Sequence, residues 1–257
     1  MAYLNFTTGL PIAKVMSGNL AGDTIYLFDP DFDKVHPTRG KRFNKVAMPD
    51  DDDGKIFVIP PPFPTQVYLA GPNGSGKTHT AAMYIMELLE MYPNIRIYVF
   101  SDLEEDPEID NISERVHRIM IDYTLISEPL NPEDFANSVV LFDDIDSIAD
   151  KKILQAVNTL KDSILKTSRH SNTYVLVTNH LITDRDKTRV SINECRELFL
   201  FHKSGSNIER ILKVYTGLSN KQIEILKQLP GRWLCFHKNA PQYIVYEYGV
   251  MLLTALK

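Results

Sequence analysis

Eight consecutive residues have the spacing of a phosphate-binding loop. The stretch Gly71-Pro72-Asn73-Gly74-Ser75-Gly76-Lys77-Thr78 fits the pattern G-x-x-x-x-G-K-[ST]. Its glycines permit backbone turns that a Cβ would block, so main-chain N–H groups can point inward at a phosphate. Lys77 would place a positive charge on the β- and γ-phosphates, and Thr78 would offer its hydroxyl to Mg²⁺. We therefore expect residues 71–78, with the following His79, to bind a nucleoside triphosphate.

Two carboxylates follow a second apolar segment, as in the Walker B pattern. Residues 138–142 predict a central strand buried on both faces, and Asp143 and Asp144 come directly after it. Open α/β sheets bind ligands at this end of their strands. We expect Asp143 to hold the Mg²⁺ shell, through water, and Asp144 to act as the base that polarises the attacking water. Asp146 is expected to face solvent.

A further strand, predicted at residues 173–177, carries polar residues at both ends. Asn179, just past it, has the position of a side chain that senses the γ-phosphate. His180 either supports the site indirectly or belongs to an ordinary loop, and the loop is favoured. Arg169 precedes the strand and is separated from Asn179 by about 30 Å of extended chain. It therefore cannot easily serve its own site and could serve a neighbouring subunit's.

The elements around these motifs are those that a nucleotide site needs. Residues 66–70 form a short apolar run typical of a buried strand. After the loop, Ala81, Ile85 and Leu88 recur at helical spacing, and Pro93 ends the predicted helix. A strand before the glycine-rich loop and a helix after it are the context that makes the motif specific.

Composition restricts the class of protein. The chain has 257 residues, 44% of them apolar and 24% charged, as in an ordinary globular protein. Its two cysteines, Cys195 and Cys235, form neither a disulfide framework nor a zinc pattern. No apolar run approaches the length of a membrane span. Because the net charge is −5, nucleic acid would have to meet a local basic strip, for which Lys161 and Lys166 are candidates.

The order of the predicted elements indicates an α/β fold. We expect a RecA-like (ASCE) P-loop NTPase core, with a mostly parallel central sheet flanked by helices, an N-terminal β extension and a C-terminal β-hairpin. Residues 1–60 would form the extension, packed on the core. Residues 61–257 would form the ATPase domain, including C-terminal helices and a hairpin from residues 233–236 and 243–246.

Five features occur in the same order as in the FtsK–HerA superfamily of DNA-pumping ATPases. They are the loop at 71–78, the Asp143-Asp144 strand end, Arg169 ahead of a strand, the polar residue after that strand, and the C-terminal hairpin. The chain most resembles the packaging ATPases of large double-stranded DNA viruses, the poxvirus type. The resemblance covers roughly residues 60–250.

This resemblance implies a function and an assembly. Such proteins hydrolyse ATP with Mg²⁺ in homo-oligomeric rings, pentamers or hexamers, that drive double-stranded DNA into a preformed capsid. It implies that Arg169 is an arginine finger for the neighbour's ATP, and that Lys77, Asp144 and Asn179 complete the catalytic set. Capsid-vertex or membrane-associated virion proteins would be further partners. The location would be the viral factory in the cytoplasm of an infected cell, or the virion.

Two residues of this chain differ from the family's usual pattern, and three alternative functions remain open. The family often has Gln where this chain has Asn179, and Glu where it has Asp144, which is shorter by one methylene. A GTPase would carry Asn-Lys-x-Asp and Asp-x-x-Gly motifs that we do not find, and a small-molecule kinase would carry an Arg-rich lid. A structural ring or pore, in which nucleotide binding only stabilises assembly, is the third alternative.

Overall fold

The computed structural model describes residues 1–31, 41–49, 53–180, 185–203 and 208–256. Contacts between Cα atoms divide the chain into two units. One comprises Pro62–Leu198, and the other combines Met1–Pro61 with Phe199–Lys257. The division into an extension at 1–60 and an ATPase domain at 61–257 stays a prediction.

The regular elements of the described residues are numbered in chain order. The strands are β1 (Tyr3–Asn5), β2 (Leu10–Val15), β3 (Thr24–Phe28), β4 (Lys45–Ala47), β5 (Ile56–Val58), β6 (Gln66–Ala70), β7 (Arg96–Ser101), β8 (Val116–Met120), β9 (Ser138–Phe142), β10 (Tyr174–Asn179), β11 (Glu197–Leu200), β12 (Leu234–His237), β13 (Tyr243–Tyr246) and β14 (Gly249–Leu252). The α-helices are α1 (Lys77–Met91), α2 (Pro107–Asp110), α3 (Thr124–Ser127), α4 (Lys151–Ser171), α5 (Arg185–Glu194), α6 (Ile208–Thr216) and α7 (Asn220–Gln228). Short 3₁₀ turns occur at Pro132–Phe135, Ile145–Ser147 and Leu253–Ala255.

A parallel sheet organises the unit of residues 62–198. Its strands lie in the order β6–β10–β9–β7–β8. Asn179 on β10 lies opposite Ala70 on β6, and Val177 lies opposite Phe142 on β9. The carboxyl ends of β6, β10 and β9 therefore meet at one edge. Helices α1 and α4 pack on this sheet, so the predicted RecA-like α/β core is confirmed.

The middle strand of this sheet is apolar for a structural reason. Residues 139–142 of β9 are completely buried, and β10 and β7 pair with its two edges. Phe142 stacks on Phe100 of β7, with ring centroids 4.8 Å apart. A strand buried on both faces needs a continuous apolar run rather than an alternating one, and this confirms the prediction for residues 138–142.

The other unit contains two sets of antiparallel strands. One has the strand order β1–β3–β2–β5, and the strands β4–β14–β13–β12 lie side by side in the second. The predicted hairpin is confirmed, because β12 and β13 pair antiparallel from Leu234 opposite Tyr246 to His237 opposite Tyr243. The predicted β extension is confirmed as well. It contains the strands β1 to β5.

The two lysines expected to contact DNA both lie on helix α4, and they differ in exposure. Its N-terminus is capped by Asp150, whose side chain accepts hydrogen bonds from the backbone of Lys152 and Ile153. Lys161, on this helix, is only 2% exposed, and its Nζ donates to Asn158 Oδ1 at 2.7 Å. The expectation for Lys161 is therefore wrong, whereas Lys166 is exposed.

Within the described ranges, no helix has both the length and the apolarity that crossing a bilayer requires.

Helix α1, which begins at Lys77, is anchored by a buried hydrogen bond. Tyr84 on this helix donates its hydroxyl to Glu197 Oε2 at 2.8 Å, and both side chains are buried. We expect Tyr84→Phe to lower the free energy of unfolding by about 1–3 kcal/mol, because the buried carboxyl loses one donor. Urea denaturation measures this change. Tyr98→Phe, which removes a half-buried hydroxyl on β7, is the control, and equal losses in the two variants would contradict the anchoring role.

Candidate functional site

The glycine-rich loop leaves β6 and turns directly into α1. Gly71 N donates to the carbonyl of Asn179 at 3.2 Å, which continues the pairing of β6 with β10 for one residue beyond the strand. Gly74 and Gly76 have φ angles of 73° and 98°, in the left-handed region that favours glycine. A Cβ built at Gly74 would have no atom within 4 Å, so backbone geometry rather than space requires glycine there.

The start of α1 has the properties of an anion site. The backbone N–H of Thr80 bonds to Gly76 O at 2.9 Å, so the N–H groups of residues 77–79 precede the first helical hydrogen bond and need other partners. The first turn of α1 contains no acidic side chain to offset the helix dipole. Ser75 Oγ is buried and has no hydrogen-bond partner among the described residues. Unbonded donors at a helix N-terminus fit a phosphate.

Lys77 is a buried cation within reach of a carboxylate. Its side chain is 4% exposed, and Nζ lies 3.6 Å from Asp144 Oδ1. The same nitrogen is 3.5 Å from the carbonyl oxygen of Pro72, which also accepts from Ser75 N at 3.2 Å. A buried ammonium group needs such partners because desolvation of an isolated charge is costly. The loop thus holds the charged end of Lys77 inside the turn that a phosphate would occupy.

Thr178 joins the two carboxylates that follow β9. Its hydroxyl donates to Asp143 Oδ1 at 2.8 Å and accepts from the backbone N–H of Asp144 at 2.7 Å. It also lies 3.2 Å from Asp144 Oδ1. Asp144 has a φ angle of 44°, an uncommon conformation for a residue other than glycine. Thr178 was not predicted as a site residue, and its only signal in the sequence is a polar side chain directly after the predicted strand at 173–177.

Burial shifts the titration of both acids. Burial raises the pKa of Asp143 to about 6, opposed by the Thr178 hydrogen bond and assisted by the carboxylates of Asp144 and Asp106. Burial also raises the pKa of Asp144, against the opposing charges of Lys77 and His180. A divalent cation would favour the ionised form of such carboxylates. The buried, acid-rich surroundings of Asp143 therefore fit the Mg²⁺ expected there, with Thr78 at the start of α1 as the second residue.

Asp146 does not face solvent, and the expectation for it is wrong. Its side chain is only 5% exposed, and Oδ2 accepts a hydrogen bond from the backbone N–H of His180 at 3.0 Å. The ring of His180 lies between two acids, with Nε2 3.3 Å from Asp144 Oδ2 and Nδ1 3.7 Å from Asp146 Oδ1. The three side chains each offer one ligand atom, all within 4.8 Å of one another. His180 is thus part of the site and not only of a loop.

Asn179 is directed away from the acids that Thr178 contacts. It is 2% exposed, its Nδ2 donates to the hydroxyl of Tyr68 at 3.2 Å, and its Oδ1 has no hydrogen-bond partner among the described residues. Successive side chains of a strand point to opposite faces, which explains why Thr178 and Asn179 meet different neighbours. The role of Asn179 as a sensor stays a prediction.

Two of the expected site residues lie outside this cluster. The ring of His79 is exposed, and its Nδ1 lies 2.8 Å from Glu108 Oε1. Arg169 is exposed in the last turn of α4, before the amino end of β10, whereas Lys77 and the acids lie at the carboxyl ends. Burial, reinforced by the charge of Arg169, lowers the pKa of the neighbouring Arg196. The structure therefore brings together Lys77, Asp143 and Asp144 but not Arg169.

Comparison with known proteins identifies related sequences. Residues 67–202 match the family model described as "ATPase family associated with various cellular activities (AAA)". The chain is also 34% identical over 266 residues to uncharacterized protein V3 of Sputnik virophage. That alignment covers 98% of this chain and 100% of the virophage protein.

Solved structures have a similar fold. B204, described as the DNA-packaging ATPase from Sulfolobus Turreted Icosahedral Virus, has a TM-score of 0.51 and 16% identity, covering 71% of this chain and 96% of B204. The genome packaging NTPase B204 from Sulfolobus turreted icosahedral virus 2, in complex with ATP-gammaS, also gives 0.51 and 16%, covering 74% and 98%. The resemblance to viral packaging ATPases is thus confirmed at the level of the fold.

The raised pKa of Asp143 predicts a pH-dependent cost of folding. Without nucleotide and Mg²⁺, the unfolded chain ionises this group near 3.8 and the folded chain near 6, so stability falls as pH rises through that window. We expect Asp143→Asn to increase the free energy of unfolding by up to about 3 kcal/mol at about pH 7.5, and the gain to vanish towards about pH 4. Urea denaturation across this range measures it.

The exposed Asp102, at the end of β7, provides the control for this experiment. Asp102→Asn should change stability by less than about 0.5 kcal/mol at any of these pH values. A gain for Asp143→Asn that is the same at both ends of the pH range would show that burial of the charge is not its cause.

Proposed function

We propose that this chain, which belongs to the ATPase family associated with various cellular activities, is a motor that translocates double-stranded DNA and packages a viral genome into a preformed capsid. The observation that carries the ATPase assignment is the meeting of Lys77 with Asp143 and Asp144 at the carboxyl edge of the parallel sheet. The match to a virophage protein over nearly the whole chain, and the likeness in fold to a DNA-packaging ATPase, favour packaging as the purpose of hydrolysis.

Each residue of the site would have a part in phosphoryl transfer. The N–H groups at the start of α1 would hold the phosphates, and Lys77 would exchange its contact with Asp144 for one with the β- and γ-phosphates. That exchange would leave Asp144 Oδ1, now 3.6 Å from Nζ, available to accept a proton from the attacking water. Burial raises the pKa of Asp144, and a higher pKa makes a carboxylate a stronger proton acceptor.

Magnesium would be held by Thr78 and, through water, by Asp143. When bound, it would neutralise charge on the β- and γ-phosphate oxygens. Thr178 would keep the Asp143 carboxylate oriented by its 2.8 Å hydrogen bond. Buried, oriented groups stabilise developing charge more effectively than solvated ones, because they need no reorganisation during the reaction.

In a ring, a neighbouring subunit would supply a further positive charge to the phosphate site. Arg169 is exposed at the amino end of β10, opposite to its own phosphate loop, and so is available to a neighbouring subunit. We propose a homo-oligomeric ring of five or six subunits, with capsid-vertex or membrane-associated virion proteins as further partners. Its place would be the viral factory or the virion.

The test of this function is turnover of ATP with and without DNA. We expect the purified protein to release phosphate from ATP with Mg²⁺, and double-stranded DNA of any sequence to stimulate release several-fold at low salt, since phosphate contacts carry no sequence information. Lys77→Ala should keep its melting temperature and lose hydrolysis. ATP binding without turnover would favour the structural ring, and turnover that ignores DNA would contradict translocation.

The exposed position of Arg169 predicts complementation between two inactive variants. Arg169→Ala should bind ATP normally and hydrolyse it slower by a factor of about 10³ or more, as when an arginine finger is removed. Mixed with Lys77→Ala, it should recover activity, because an intact phosphate loop then meets an intact arginine across an interface. Phosphate release and native mass spectrometry of the mixture measure this. Mixed rings that stay inactive would rule out action in trans.

A further inference from the structure

We propose that His180 is a positioning residue for ATP hydrolysis, which holds the Asp144 carboxylate in place through Nε2 and is itself held by Asp146. The proposal rests on the function proposed above. It starts from a contact that the phosphate-loop motif does not predict: His180 Nε2 lies 3.3 Å from Asp144 Oδ2. The three residues belong to two neighbouring segments, the turn after β9 and the end of β10.

The two oxygens of Asp144 have different neighbours. Oδ1 faces Lys77 Nζ at 3.6 Å and Thr178 Oγ1 at 3.2 Å, whereas Oδ2 faces the imidazole of His180. If Lys77 moves to the phosphates of a bound nucleotide, Oδ1 loses its cation. His180 does not belong to the phosphate loop, so its contact with Oδ2 does not depend on where Lys77 goes. It therefore maintains the orientation of the carboxylate at the stage when water must be aligned.

Asp146 meets His180 at two points, a hydrogen bond to its backbone and a longer approach to its ring. Its Oδ2 accepts the backbone N–H of His180 at 3.0 Å, and its Oδ1 lies 3.7 Å from Nδ1 of the ring. Asp146 lies in the 3₁₀ turn Ile145–Ser147, which is closed by Ser147 Oγ donating to Asp144 O at 2.7 Å. With its side chain almost completely buried, Asp146 has little freedom to move. A rigid acid behind a histidine determines which way the ring points.

The short side chain of Asp144 explains why such support is useful. An aspartate has one methylene fewer than a glutamate, so it reaches water only from a defined backbone position. The left-handed φ of 44° at Asp144 sets that position, and the carboxylate can still rotate about its side-chain bonds. A misplacement of about 1 Å can reduce catalysis about a hundredfold. His180 on one oxygen and Thr178 on the other restrict this rotation.

The experiment separates positioning from binding and from folding. We expect His180→Ala to lower kcat about ten- to a hundredfold, with the Kd for a fluorescent ATP analogue unchanged within about threefold. His180→Gln should recover much of kcat, because its Nε2 can donate to Asp144, whereas His180→Asn should not. The control is His117→Ala on the edge strand β8, where the exposed ring packs only on Tyr98 among the aromatic contacts described. It should leave kcat unchanged.

Coupling to Asp146 provides the second measurement. Asp146→Ala should lower kcat in the wild-type background and cause little further loss of kcat in the His180→Ala background. The reason is that Asp146 acts on Asp144 only through His180. Additive losses would overturn the arrangement. The arrangement would also be overturned if the wild type bound Mn²⁺ without nucleotide and His180→Ala lost that binding. Asp144, Asp146 and His180 would then be metal ligands. If the wild type itself fails to hydrolyse ATP, the proposed function fails; an active wild type matched by His180→Ala removes this inference alone.

Discussion

The register of three parallel strands is the constraint on which the site depends. Because β6, β10 and β9 end side by side, the residues just beyond them converge: Gly71 N bonds to Asn179 O, and Asp143 N bonds to Phe100 O of β7. The catalytic candidates at this edge all lie at a strand end or within a few residues of one. A slip of one residue in β10 would turn Thr178 away from Asp143, since side chains alternate between faces.

Burial of charge at this edge gives the site its chemical character. Lys77, Asp143 and Asp144 lie in a largely dry environment where each charge needs a partner, and the Lys77–Asp144 contact together with the Thr178 hydroxyl supplies part of that need. A bound phosphate would meet Lys77 and the N-terminus of α1, and its cation would offset the excess of acids over lysine. Burial, assisted by the neighbouring carboxylate of Asp144, raises the pKa of Asp143 and so makes the ionised carboxylate costly for the fold.

Local sequence patterns predicted the elements that are locally determined. The strands at 66–70 and 138–142 have the predicted bounds. The strands β1, β2, β4, β8 and β14 and the helix α5 were not predicted, and the strands among them are short runs of three to six residues. Asp146 and Lys161 were expected to be accessible because charged side chains are normally exposed, and only the packing of α4 and of the turn after β9 shows that these two are buried.

The sequence by itself determined the phosphate loop, the acids after β9 and the RecA-like class, because these follow from residue type, spacing and apolar runs along a continuous stretch. Only the tertiary structure decided that Thr178, rather than Asn179, contacts the acids, and that His180 bridges Asp144 and Asp146. Those contacts join residues more than thirty positions apart. They depend on strand register and on which face of β10 each side chain occupies, and a pattern read along the chain contains neither.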